Sequence, residues 1–371
     1  MVQKYVYAVA QTSCDAALRG TGVGGSTVYA IARHGLGCFL SDYSGRELRA
    51  LPKEEVVRSL LAHQAVVEEI MEEHAILPVK FGTLVDGEAE AFTFLSQGHR
   101  RLAEALVQLQ DKVEVEVAAT WDTTLVLREL SDREEIVQAK VAAAGMSPGD
   151  VMQQQIRLGQ LLKGALDQRR DEYRERMLEF LRPLAVDVQP NVLVSDQMVM
   201  NVAFLVQRAQ QPDFDERVGE LNDLFNDQIN FRIIGPLPPY SFATVEVARP
   251  SWQTLEEARL LLHLGETVSE PEVRRAYRRL AAECHPDLRG KDEGAAEHLA
   301  RLRGALETLL AYCRECAVSG DGSDAFLITR EAVQRALLIS VKRTSTQEVD
   351  QSRFGGMASR TGFTGPHAAG C

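Results

Sequence analysis

Cysteine is scarce in this chain of 371 residues: six are scattered, at positions 14, 38, 284, 313, 316 and 371. That is too few for a disulfide framework at this length. Positive charge is also in deficit, with 41 lysines and arginines against 53 aspartates and glutamates, a net charge of −12. Binding to nucleic acid or to an anionic membrane requires clustered positive charge, so neither is the general function. No run of about eighteen apolar residues occurs, which argues against a bilayer-spanning helix. The N-terminal MVQKYVYAVAQTSCD alternates and carries polar residues, unlike the apolar core of a signal peptide. The expectation is a cytoplasmic protein with free thiols.

Catalytic constellations are missing too. No serine, cysteine or histidine stands in a recognisable triad or metal spacing. Cys313-Arg-Glu-Cys316 with Cys284-His285 supplies only one pair, where a structural zinc site usually supplies two. The reading is therefore no enzyme, no cofactor and no metal.

What is present is enough apolar residue, 45% against 25% charged, to build a sizeable core. The length suggests two or three domains. KYVYAVAQT, TVYAIARHG and GLGCFLSDY are strand-like runs split by glycine-rich turns. Residues 53–74 space Val56, Val57, Leu60, Leu61, Val67 and Ile70 as the apolar face of a helix. ILPVKFGTLV is a short strand, a second helix follows it, and KVEVEVAAT alternates strictly. Next comes a charged helical stretch over roughly 150–182, then strand-like VLVSDQMVMNVAFLVQ, an acidic helix, and INFRIIGPLPPYSFATVEV. Gly235-Pro236-Leu237-Pro238-Pro239 cannot continue a central strand, because three prolines lack the ladder donor. It must form an edge or a stiff corner presenting Tyr240 and Phe242. The first reading of that corner is a fold element; the sharper one is a preorganised surface for a partner chain. Lys80, in PVKFG, must keep its ammonium at the surface or paired with a carboxylate.

Residues 253–318 differ in character. Basic and acidic residues nearly balance there, so residues 1–252 hold almost the whole acidic excess. Ser269-Glu270-Pro271-Glu272 fits a capping box opening a helix. Val273, Ala276, Tyr277 and Leu280 form its apolar face, and Arg274, Arg275, Arg278 and Arg279 the other. His285-Pro286-Asp287 breaks that helix. A following helix with Leu299, Leu302, Leu306 and Leu309 makes an antiparallel hairpin with the tripeptide at its tip. SGDGSD then reads as a linker, AFLITREAVQRALLISVKR as one more helix, and the Gly/Ser-rich end as disordered.

Two resemblances follow from these stretches. PVKFGT (78–83) with YVYAVA, and NVAFLV (201–206) with DFDERVGELN and FRIIGPLPPYSF (231–242), together resemble the GvpF/GvpL family of gas vesicle proteins over about 1–250. The family's pattern has arginine where Lys80 stands and often tryptophan at Leu237. The resemblance implies an accessory factor of gas vesicle assembly that contacts the small hydrophobic shell protein and other accessory proteins. Lys80, Phe81, Pro238, Pro239, Tyr240 and Phe242 are its candidate partner-binding residues. The capped arginine helix running into HPD resembles a J domain. That implies docking on a heat-shock chaperone ATPase through His285, Pro286, Asp287, Arg274, Arg275 and Arg278.

The expected fold class is α+β: two small α+β domains, the second ferredoxin-like, then an all-α J-like hairpin and a flexible tail. The domains are placed at 1–119, 120–250 and 253–318, with linker, helix and tail over 319–371. The expected function is gas vesicle assembly with chaperone recruitment, in the cytoplasm and at the vesicle. The alternative is a general J-domain co-chaperone whose first half selects unrelated clients.

Overall fold

The computed structural model describes residues 2–12, 17–45, 50–143, 148–225, 228–283, 293–319 and 325–342. Contacts gather them into two compact units. One comprises Met1–Val115, Leu205–Gln211 and Gly235–Arg343; the other, Glu116–Phe204 with Pro212–Ile234.

The first unit is built on an antiparallel sheet. Its strands are β1 (Gln3–Gln11), β2 (Ala17–Thr21), β3 (Thr27–Arg33), β4 (Leu36–Tyr43) and β5 (Ile76–Pro78), in the order β2-β3-β4-β1-β5. The short β6 (Leu84–Val85) also pairs with β1. Tyr5 through Ala10 are all buried, so both faces of β1 are covered, and this is why the apolar alternation of the opening run is only partial. Tyr5 and Tyr7 meet His63 on α1 (Lys53–Glu73). On the opposite face Lys4 and Tyr29 meet Glu88, at the start of α2 (Glu88–Leu109). The sheet is thus held between two amphipathic helices.

A second sheet joins β7 (Lys112–Trp121), β8 (Asp187–Pro190), β9 (Met198–Gln207) and β10 (Ile229–Leu237) in the order β10-β7-β9-β8. First and third strands at the centre, second and fourth at the edges, is the ferredoxin-like arrangement. Three helices, α3 (Thr123–Ser131), α4 (Glu134–Ala143) and α5 (Pro148–Leu181), lie between β7 and β8 in sequence. The crossover from β9 to β10 is α6 (Gln211–Leu224), with the tilted rings of Phe204 and Phe214 5.1 Å apart between centroids. β10, which contains Pro236, is an edge strand, as its missing ladder donor requires.

After β11 (Thr244–Ala248) the chain is mainly helical: α7 (Trp252–Leu261), α8 (Glu270–Glu283) and α9 (Glu293–Ser319), with the two-residue strand β12 (Thr267–Val268) before α8. The hairpin core holds Leu255, Leu262, Val273, Leu280, Leu302 and Leu309, which includes much of the stripe read from the sequence. The stretch expected as one more helix is different. It forms β13 (Phe326–Leu327), a short α10 (Arg330–Arg335) and β14 (Leu338–Lys342). Helical propensity yields here because β14 pairs antiparallel with β11 and satisfies its backbone, with Thr244 opposite Lys342 and Ala248 opposite Leu338.

Candidate partner-docking site

The arginine helix α8 starts as its sequence requires. Ser269 N donates to Glu272 Oε2 at 2.9 Å and the Ser269 hydroxyl donates to the same oxygen at 2.8 Å. Glu272 therefore satisfies the N-cap amide, one half of a capping box. Val273, Ala276 and Leu280 face inward and Tyr277 is half-buried against them. Arg274, Arg275, Arg278 and Arg279 are exposed. Arg274 Nη2 pairs with Glu270 at 2.5 Å, while Arg275 and Arg279 make no ion pair among the described residues.

Beside this face runs a groove of about 490 Å³ lined by Glu270, Pro271, Arg274, Arg275, Arg278, Cys313 and Phe326. Three arginines against one glutamate leave it positive in an acidic protein. Its floor is apolar, because Cys313 is buried and its thiol is pushed up to about 12, chiefly by that burial. The groove therefore offers charge-assisted hydrogen bonds beside an apolar wall, chemistry suited to an acidic chain. Cys313 and Cys316 keep neutral thiols, and no group of three or more potential metal ligands occurs among the described residues. His285, Pro286 and Asp287 lie outside the described residues.

The other candidate set sits in the first unit. Val79 is buried, and its neighbour Lys80 turns outward to pair with Glu246 at 2.5 Å. Phe81 packs edge-on against Tyr5 and His63, at 6.3 and 5.6 Å between ring centroids. Gly82 (φ +87°) takes the left-handed turn and donates its N–H to the Tyr5 hydroxyl at 3.0 Å. PVKFG thus encodes one buried strand end, one surface ion pair, one aromatic contact and one turn. Pro238, Pro239 and Phe242 are buried, and the Tyr240 hydroxyl is enclosed with burial raising its pKa. This burial favours the stiff-corner reading of the proline run: a partner would have to open the fold to reach these side chains.

One buried charged position escaped the sequence reading. Glu114 sits in the strictly alternating KVEVEVAAT, where its place predicts the wet face, yet it is 2% exposed. It accepts hydrogen bonds from Ser241 N at 2.8 Å and from the Ser241 hydroxyl at 2.7 Å, so it pins the proline corner to β7. His63 on α1 is a core histidine. It is 2% exposed, with Nδ1 3.1 Å from the Tyr5 hydroxyl, its ring stacked on Tyr7, and Tyr240 at 6.4 Å. Burial holds its imidazole down at about 4.

Comparison with known proteins supplies the family context. Residues 3–244 match the family model described as gas vesicle synthesis protein GvpL/GvpF, and residues 260–312 match the DnaJ domain. Gas vesicle protein F of Streptomyces sp. (strain CB03234) is 32% identical over 244 residues, which is 64% of this chain and 98% of that protein. The Dolichospermum flosaquae gas vesicle protein F is 27% identical over 195 residues, 51% of this chain and 78% of its own length. Two crystal structures share the fold over 65% of this chain and 98% of theirs. They are GvpF from Anabaena sp. PCC7120 (TM-score 0.58, 23% identity) and GvpF from Microcystis aeruginosa (TM-score 0.54, 21% identity).

Proposed function

Because the chain belongs to the GvpL/GvpF family of gas vesicle synthesis proteins and carries a DnaJ domain behind that region, we propose that it is an assembly factor with two hands. One hand holds a gas vesicle shell or accessory protein; the other recruits a heat-shock chaperone ATPase to it. The setting is the cytoplasm and the growing vesicle. A hydrophobic shell subunit associates non-specifically before assembly, so escort by a chaperone has a physical purpose.

The observation that carries this reading is the exposed arginine face of α8, beside a groove that is positive in a protein of net charge −12. Arg274, Arg275 and Arg278 steer and hydrogen-bond an acidic partner surface. His285, Pro286 and Asp287 are assigned the remaining polar contacts to that partner. In the family half, Lys80 is the accessible member of the candidate set and is assigned the contact to the vesicle protein.

Two measurements test the two hands. The wild-type chain should accelerate ATP hydrolysis by a purified heat-shock chaperone ATPase, and His285→Gln should not. No acceleration by the wild type, or equal acceleration by both, overturns the recruiting role. Affinity capture from vesicle-forming cells should bring down a shell or accessory protein; capture of neither overturns the escort role.

A further inference from the structure

Phe326 lies outside the stretch matched to the DnaJ domain, yet it forms a wall of the arginine groove. The segment that carries it is fixed at both ends. At the near end β13 pairs with β12, Phe326 opposite Val268 and Leu327 opposite Thr267. Ile328 N donates to Glu266 O at 2.7 Å, and the Tyr312 hydroxyl donates to Leu327 O at 3.1 Å. Ile328 and Val333 are then buried in the hairpin core, with Ala336 and Leu338 packed against it.

At the far end β14 lies along β11 and against α2. Arg101 on α2 donates to the Ile339 carbonyl and pairs with Glu315 on α9. Gln97 Oε1 accepts from Leu337 N at 3.3 Å. At Gly98 an added Cβ would stand 3.2 Å from the Ile339 side chain, so the glycine admits a close approach of strand to helix. Residues 325–342 are thus a strap, and Phe326 is a built wall.

Two halves of the groove ask for different chemistry. Arg274, Arg275 and Arg278 face one exposed glutamate, Glu270, and have charge to spare for carboxylates. Carboxylates alone would leave the walls formed by Phe326 and Pro271 wet. A segment with an apolar side chain among acidic ones satisfies both halves, because the buried apolar area adds to the charge-assisted bonds. We propose that the groove is a composite docking site for an acidic, extended peptide segment bearing an apolar side chain. Phe326 sets the preference for that side chain, and the strap holds Phe326 in place. The proposal rests on the arginine-face reading for the partner's identity; its test does not use the chaperone.

The probes are a fluorescein-labelled polyglutamate peptide with one central leucine and its twin with serine there, titrated with the full chain by fluorescence anisotropy. The leucine peptide should bind about tenfold more tightly, since about 1.4 kcal/mol of added burial is tenfold in affinity. Phe326→Ala should bring the leucine peptide down to the level of its twin, whereas Phe326→Leu, which keeps an apolar wall, should retain the preference. Arg275→Glu should weaken both peptides together. Arg101→Glu should release the strap, raising amide exchange over 338–342 and shrinking the leucine preference. Equal binding of the two peptides by the wild type, binding of neither, or a preference that survives Phe326→Ala in a folded variant overturns the proposal. Failure of chaperone stimulation alone leaves these results untouched and overturns only the recruiting role.

Discussion

Replacing His63 with leucine should flatten the acid limb of this protein's stability curve. The Tyr5 hydroxyl accepts a hydrogen bond from Gly82 N, so its own proton is free to point at His63 Nδ1, 3.1 Å away. That arrangement assigns the neutral ring's proton to Nε2, which finds no partner among the described residues. Adding a second proton would place a charge among Tyr5, Tyr7, Phe81 and Tyr240. The carboxylates acting on this cluster, Glu68 and Glu114, bear on Tyr240 and make no hydrogen bond with the ring. Burial therefore dominates and holds the folded imidazole near about 4, against 6.5 when exposed. Between those values the unfolded chain binds a proton that the folded chain refuses. Stability from this group is full above the exposed value and drains as pH falls toward the folded one. At a pH of about 4.5 the loss amounts to about 2.5 kcal/mol. Urea unfolding followed by circular dichroism, at a pH of about 7.5 and again at about 4.5, measures it. Acid also protonates carboxylates, and leucine strands the Tyr5 hydroxyl, but the first effect is common to both proteins and the second is independent of pH. The wild type should lose about 2.5 kcal/mol more than His63→Leu across that interval. Parallel losses in the two proteins would refute the reasoning.

Two further outcomes are expected. Glu114→Val should cost about 3 kcal/mol, because it leaves the amide and hydroxyl of Ser241 buried without their acceptor, and thermal unfolding of the variant checks it. A chain ended after residue 252 should show faster amide exchange over 244–248 than one ended after residue 342, because β14 no longer covers β11. Equal protection there would mean that β11 is ordered without its partner.

The fold was legible wherever one local rule decided the outcome. The helix α1, the capping box of α8 and the edge position of the proline-bearing β10 each follow from residues close in sequence, although on α1 Val67 and Ile70 are buried as expected while Leu61 is exposed. The arginine face was equally plain, since exposure is the default for four arginines on one side of an amphipathic helix. What local pattern missed depends on distant partners. Glu114 reads as a surface residue until Ser241, 127 positions later, is brought against it. The AFLITREAVQRALLISVKR stretch reads as a helix until β11 offers a strand edge to Leu338–Lys342. Phe326 has no signal at all as a groove wall, because β12, the strand that positions it, is two residues long.

The bond from Arg101 to Ile339 spans 238 positions of the chain, and this separation has a consequence for synthesis. A ribosome delivers α2 and β11 long before it delivers β14. At a translation rate of about 5–20 residues per second, the flank of the first unit waits several seconds for its last strand. During that interval the β11 edge and the Gly98 notch stand without β14, while the arginine helix has already been synthesised. A nascent chain of this design is thus exposed where it will later be sealed, and its exposed arginine helix is in place before the seal arrives.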